Sequence, residues 1–554
     1  MRGFFLGICF LIVFSPIANA SWDIWSGAAV QLTALALFTG WLIKSLLEED
    51  IPGPKLNRNS AFLALFLFVC VCLSCFFFSV NKFNTRSEIF NLLGYAAVFL
   101  ISSKLFSAGS GGRFHGAFYA AVTFIGLFVS VAGIIQLLNG QLPAGTMLNP
   151  NILAGYLVMI IPGSFIAAVE NRHDRNLRNV YAFSFCVMLA CLLFTKSLAG
   201  LAGLSVSLFI AVYVFYKDEI YKPYRPYFII IFLAVYALLL FKLADTEVIN
   251  RVFWWKAAAG MMADKPLFGV GPGNFGQALA NYKAGMLNSL YAHNLFLQLG
   301  AESGIMALGL FLWFLSRVIL RKANLNKPVF YGITAVLVQN MADYNLCMPA
   351  NSILFWAMLG ILYGENPGGV FAGIRLNREK RRIIITVLVF AAAVCATYVI
   401  KTFLASRCWV YGNELAGKVN RAGEALQGET VEKNIQLLEK AEKYLRRAIE
   451  LDPLNFQYYR KLAAVHVKYY SIYKEKSWLD EALIEIEAAR NYCRDVAVIY
   501  SDTAVIYGLK GEYSGAVEQL KAAIKLDANN PEYRRMLEKL VKSKIINKSP
   551  SYIN

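Results

Sequence analysis

The sequence predicts an all-α protein: a polytopic bundle of about 12–13 membrane-spanning helices followed by a soluble helical solenoid. Three observations carry that expectation. Hydrophobic residues fill 57% of the 554 positions and charged residues only 16%, with a mean hydropathy of +0.49; soluble chains hold about a quarter charged residues. The apolar residues are gathered into runs of the roughly 20 residues that a bilayer demands. From residue 405 the chain changes character, turning rich in Lys, Arg, Glu and Asp and repeating itself.

The apolar runs fall near 3–19, 26–46, 60–80, 88–106, 116–138, 150–169, 179–195, 199–216, 227–243, 293–316, 328–343, 349–364 and 383–404. In the first, Ser15 to Ala20 resembles a signal-peptide cleavage site. Because further helices follow directly, we read it as a retained helix. With residue 1 in the cytoplasm, the inside loops hold Lys55 and Arg58; Lys104 and Arg113; Arg172, Arg175 and Arg178; Lys217, Lys222 and Arg225; Arg321, Lys322 and Lys327; and the cluster from Arg375 to Arg382. The short outside loops hold only Lys82, Arg86 and Lys196. This is the bias that the positive-inside rule asks for. It makes residues 1–365 a membrane domain with a long outer loop, 244–292. Residues 366–404 form a basic cytoplasmic linker and a last span, which returns the chain outward. The tail, 405–554, is therefore expected on the outer side, which is the periplasmic side if the membrane is a bacterial inner membrane.

The formal net charge of +18 does not signal nucleic acid. The tail holds 24 basic and 20 acidic residues, so +14 belongs to loops between spans, where it encodes topology. Most of the ten cysteines lie inside apolar runs and suggest no disulfide framework. No His or carboxylate accompanies Cys70, Cys72 and Cys75, so we read them as packing, with no metal site.

In the tail, Ala504, Tyr507, Gly511, Tyr513, Ala516, Leu520 and Ala523 follow the small-and-aromatic spacing of a tetratricopeptide repeat, a 34-residue helix pair. A step of 34 back gives Ala482 and Ala489; an offset of 41 gives Ala441, Leu445, Ala448 and Pro453, with an insertion near Tyr470 to Lys476. A helix near 531–543 would cap the stack. Such an array offers a docking surface for a partner protein or a glycan, or serves as a stabilising appendage.

Polar motifs interrupt the apolar pattern, and the topology places them all outside. They are Asn149-Pro150-Asn151 with Ala154-Gly155-Tyr156, then Thr195-Lys196-Ser197, then Arg251, Trp254 and Trp255. The run Pro266 to Phe275, the segment Tyr291-Ala292-His293-Asn294, and Asp343-Tyr344-Asn345 complete them. In kind and order these pieces resemble the O-antigen ligase and polymerase superfamily, over roughly residues 60–365. The most specific parts are the Arg251-to-Phe275 loop and the segment from His293 through Gln298 and Glu302 to Gly304.

The resemblance implies a membrane glycosyltransferase of GT-C-like architecture. Such an enzyme would pass a glycan from undecaprenyl diphosphate to an acceptor hydroxyl on lipid, glycan or protein, with inversion and with neither metal nor cofactor. The residues suit that chemistry. A diphosphate leaving group needs fixed cations, and arginine donates two hydrogen bonds to phosphate oxygens, which favours Arg251. A hydroxyl acceptor needs a base near neutral pH. Of the four histidines, His115 and His173 fall on the cytoplasmic side and His466 in a repeat helix, leaving His293. Superfamily members often carry Arg after the T-x-S turn. Leu198 stands there in this chain, and Lys196 is the substitute cation. Asn149, Asn151 and Asn294 are candidate substrate-binding residues. Asp343 either orients His293 or caps its helix. Glu302, an acid inside a span, shares a helix face with Gln298 but points away from His293. The glycines after Pro266 lack the Gly-Lys-Ser/Thr ending of a nucleotide loop and serve a sharp turn. Ligase, polymerase and protein O-oligosaccharyltransferase remain open. A transporter or flippase of polysaccharide or lipid would need polar sites near the bilayer midplane, whereas these cluster at one face.

Overall fold

The computed structural model describes residues 1–48, 51–54, 61–107, 112–214, 246–283, 288–365, 371–374, 377–419 and 428–547, with isolated positions between 226 and 233. The membrane part consists of α1 (Arg2–Ile17), α2 (Ile24–Leu47), α3 (Ala61–Phe78), α4 (Lys82–Leu105), α5 (Gly112–Leu138), α6 (Pro150–Glu170), α7 (Arg175–Phe194), α8 (Leu198–Val214), α9 (Thr246–Asp264), α10 (Phe275–Ala278), α11 (Leu295–Ile319), α12 (Pro328–Gln339), α13 (Pro349–Gly364) and α14 (Arg378–Gly417). Helix is the natural outcome in lipid, because it satisfies every backbone polar group within the segment. Entry into the helices is written locally. Asn81, Asn149, Asp174, Asn294 and Asn377 accept the first free N–H groups of α4, α6, α7, α11 and α14. Proline opens α6, α12 and α13, where its missing N–H costs nothing.

Eight of the described helices are long and apolar enough to cross a membrane: α2 to α7, α11 and α14. Four shorter apolar helices, α1, α8, α12 and α13, complete the bundle. The expected run at 227–243 lies almost entirely outside the described residues. Residues 244–292, expected as an outer loop, instead contain the 19-residue helix α9 and the short α10. The last span is also longer than expected. α14 runs unbroken for 40 residues from the basic linker into the tail. One antiparallel ribbon, β1 (Ile51–Pro54) with β2 (Phe371–Ile374), pairing Ile51 with Ile374, departs from an all-helical chain.

α6 is buried along nearly its whole length, at the centre of the bundle, while α14 leaves almost all of its apolar stretch exposed. α13 packs on α4, α12 on α8 and α6, α11 on α3, and α14 on α2. Contact between α8 and α12 is close enough to demand glycine: a Cβ on Gly203 would lie 2.2 Å from the Ala335 carbonyl oxygen. Lys327 precedes α12 and Asp343 follows it; Met348 precedes α13 and Glu365 follows it. The bundle therefore has two ends, one marked by Asp343 and the other by Lys327 and Glu365.

The tail is a run of helices each packed on the next: α15 (Gly428–Leu451), α16 (Phe456–Tyr473), α17 (Ser477–Tyr492), α18 (Ala497–Lys510), α19 (Tyr513–Leu526) and α20 (Pro531–Asn547). The small residues singled out in the sequence, Ala441, Ala448, Ala482, Ala489, Ala516 and Ala523, are all fully buried between these helices. α16 and α18 stop at Lys474 and Gly511, both left-handed.

Candidate functional site

The site end is organised by a break in α11. Gly304 has φ +86°, so the helix cannot run through it. The amide of Ile305, which would bond to Ala301, donates instead to the Pro266 carbonyl at 2.8 Å. The carbonyls of Ala301 and Glu302 take amides from Val270 (2.9 Å) and Gly271 (2.8 Å). The glycine-rich run is thus a docking strand of backbone that satisfies the broken helix. Side chains would prevent this: a Cβ on Gly304 would lie 2.2 Å from the Leu267 carbonyl oxygen, and one on Gly269 would lie 2.4 Å from that of Ala301. The Glu302 side chain enters the same junction. It accepts from the Phe275 amide (2.9 Å) and from Gln298 Nε2 (2.7 Å), and Gln298 Oε1 accepts from the Ala292 amide at 2.6 Å. Glu302 therefore reaches the His293 backbone through Gln298.

His293 stands just ahead of α11 with φ +52°, in the left-handed region that few non-glycine residues occupy. Asn294 fixes it there. Its Oδ1 accepts from Phe296 and Leu297 amides, and its Nδ2 donates to the Met341 carbonyl at 2.7 Å. The Leu295 amide bonds the Asn340 carbonyl (2.9 Å), tying the start of α11 to the end of α12. The imidazole stacks on Trp254 with centroids 4.6 Å apart and meets Tyr344 edge-on at 4.7 Å. Tyr344 in turn stacks on Tyr291. Trp255 Nε1 donates to the His293 carbonyl (3.4 Å). Among the described residues, the buried His293 Nδ1 has no hydrogen-bond partner. Burial, and secondarily the positive charge of Arg251, push its pKa down to about 4. The ring is neutral at physiological pH.

Arg251 lies on α9 one turn before Trp254, on the same helix face. Its charge acts on both His293 and Asp343. Asp343 is buried, and burial raises its carboxyl above the usual range. Its oxygens accept from the Tyr344 amide (2.8 Å) and Gln339 Nε2 (3.4 Å), so its recorded bonds go to its own helix end. Gln339 Nε2 also donates to the Asn151 carbonyl (3.3 Å). Asn149 caps α6 through Oδ1 and donates from Nδ2 to the Tyr344 hydroxyl at 3.0 Å. Asn149 and Tyr344 thus link α6 to the His293 ring. Lys196 is exposed in a left-handed turn, φ +58°, that leads into α8. Gly203, two turns further along α8, faces the end of α12, which places this turn at the Asp343 end. Among the described residues neither Arg251 nor Lys196 forms an ion pair.

Residues 183–312 match the family model for O-antigen ligase. No curated protein matches the chain. The O-antigen ligase segment runs from α7 into α11 and contains Lys196, Arg251, His293, Asn294 and Glu302. Over that segment the chain is similar to O-antigen ligases, and eight of its described helices are long and apolar enough to cross a membrane. Asn149, Asn151 and Asp343 lie outside the segment but are folded onto the same end.

Among the described residues no cluster of three His, Cys, Asp or Glu side chains gathers as metal ligands. Sequence reading assigned no role to Gln339 or Tyr344. Tyr344 carries a signal in retrospect, since it neighbours Asp343; Gln339 carries none, being one amide at the end of an apolar helix.

Proposed function

We propose that this protein transfers a glycan from an undecaprenyl-diphosphate carrier to an acceptor hydroxyl, at the His293 end of the bundle and on the periplasmic face. One observation carries the reading: inside the segment similar to O-antigen ligase, Arg251 and Lys196 stand without acidic partners among the described residues, at the same end as a neutral, rigidly held histidine. Cations without a carboxylate partner suit an incoming diphosphate. A neutral imidazole has a lone pair with which to take a proton.

In the proposed reaction His293 accepts the acceptor's hydroxyl proton as that oxygen attacks the anomeric carbon. The bond from that carbon to the phosphate oxygen breaks, and the diphosphate leaves with its new charge held by Arg251 and Lys196. Direct displacement inverts the anomeric centre. Diphosphate binding also offsets the repulsion that Arg251 exerts on His293, so the base gains strength as the donor arrives. The acceptor class distinguishes a ligase (a lipid A core), a polymerase (another lipid-linked unit) and a protein glycosyltransferase. The tail, read as tetratricopeptide repeats, would serve to recruit any of these.

Purified full-length protein in nanodiscs, given a synthetic undecaprenyl-diphosphate glycan and each acceptor class, tests the reading. We expect His293→Ala and Arg251→Ala each to lower transfer by about a hundredfold or more. Undiminished transfer in both variants would refute the assignment, and lipid translocation without transfer by the wild type would favour a flippase.

A further inference from the structure

The tail meets the membrane domain along one edge, at three places that recur in its sequence. Asp452, Cys493 and Asp527 each follow the last residue of a tail helix, α15, α17 and α19, and stand 41 and 34 residues apart. Asp452 takes a two-pronged ion pair from Arg86, at the start of α4, and a bond from Thr402 of α14 at 2.9 Å. Cys493 Sγ accepts from Gln277 Nε2 at 2.9 Å and approaches the Val80 carbonyl. Asp527 pairs with Lys283 at 3.2 Å, and Asn529 Nδ2 donates to the Lys283 carbonyl. These contacts are closed to solvent: the Asp452 side chain is 1% exposed and that of Lys283 6%.

The groups held are those that brace the site. Gln277 Oε1 accepts from Asn81 (3.0 Å), the residue that caps α4. Asn84 reaches the Gly273 carbonyl and Asn274 Oδ1. The next amide, Phe275, bonds Glu302, which holds Gln298, which holds the Ala292 amide beside His293. Hydrogen bonds, joined through the backbone at Asn274–Phe275 and at Ala292–His293, therefore lead from Cys493 at the tail edge to the left-handed histidine.

We propose that the helical tail is a positioning element of the site: through Asp452 it holds the start of α4, whose Asn81 and Asn84 bond residues 273–277, through Cys493 and Asp527 it holds Gln277 and Lys283 directly, and it thereby fixes the conformation of His293. The tail does not hang from its helix as a tether. Its role in transfer rests on the function proposed above; its mechanical coupling to His293 does not.

Hydrogen exchange on full-length protein, with transfer kinetics on the same samples, tests this. Asp452→Ala leaves Arg86 largely buried without its carboxylate, with Thr402 as its remaining hydrogen-bond partner among the described residues. Exchange in 270–283 and 289–298 should rise about tenfold or more, while the tail's own helices keep their protection. With the donor and acceptor saturating, kcat should fall roughly tenfold and the donor KM should change little. Cys493→Ser, which keeps an acceptor for Gln277, should behave as wild type, and Cys493→Ala should shift both readouts in the Asp452→Ala direction. Exchange at 289–298 unchanged by Asp452→Ala would overturn the coupling. Raised exchange with unchanged kcat would overturn the positioning role. A wild type inactive in transfer refutes the proposed function instead, and leaves the exchange result to judge the coupling.

Discussion

The two ends of the helical bundle handle charge in opposite ways. At one end Glu365 gathers Lys327 (3.3 Å) and His115 around a single carboxylate. Cation, histidine and acid there satisfy one another. At the other end the same residue types are kept apart. Arg251 and Lys196 pair with no acid among the described residues, Asp343 is occupied by an amide and a glutamine, and His293 is stacked between rings. Mutual neutralisation makes a structural knot. Separation, maintained at the cost of a left-handed histidine, leaves charge free for a ligand.

The sharpest way to break this contrast is to delete one cation at each end. Arg251→Ala should lower glycan transfer by about a hundredfold or more. Lys327→Ala should change transfer less than about threefold, its loss appearing as lower thermal stability because Glu365 keeps only His115. Next in size is the helix break. Gly304→Ala forces a Cβ against the Leu267 carbonyl oxygen and should destabilise the protein by roughly 2–4 kcal/mol. Gly140→Ala, at φ +78° with nothing within 4 Å, should cost about 1 kcal/mol; thermal unfolding in detergent separates the two. The pH effect follows in size. His293 titrates near 6.5 when unfolded and near 4 when folded. Between those values the unfolded chain binds the extra proton, so stability should fall as pH drops from 6.5 toward 4. His293→Gln should flatten that slope in pH-dependent unfolding. Smallest is Tyr344→Phe, which removes the bond from Asn149 and should cost about 1 kcal/mol, read as a modest rise in donor KM.

The sequence announces much of this architecture. Apolar runs and their basic flanks mark twelve helices, and Asn149 and Asn294 mark helix starts, because caps and hydropathy are local properties. The left-handed geometry of His293 and the break at Gly304 are not local. The break is satisfied by Val270, Gly271 and Ile305, whose backbone bonds cross more than thirty residues, and His293 is held by the bonds of Asn294 and Leu295 to the end of α12; no spacing rule encodes such contacts. Glu302 illustrates the limit. Helical periodicity turns it away from His293, yet Gln298 carries its influence back to the Ala292 amide. Similarly, the repeat spacing of 41 and 34 is visible in the chain, but nothing in it says that the loops so spaced would dock on Arg86, Gln277 and Lys283.

The central claim is that the His293 end receives a diphosphate. Equilibrium binding of undecaprenyl diphosphate to the purified protein, with the wild type, Arg251→Ala and Lys327→Ala side by side, tests it most directly. The expected result is a Kd raised about tenfold or more by Arg251→Ala and unchanged by Lys327→Ala. Equal affinity in the wild type and Arg251→Ala, or a loss confined to Lys327→Ala, would contradict it.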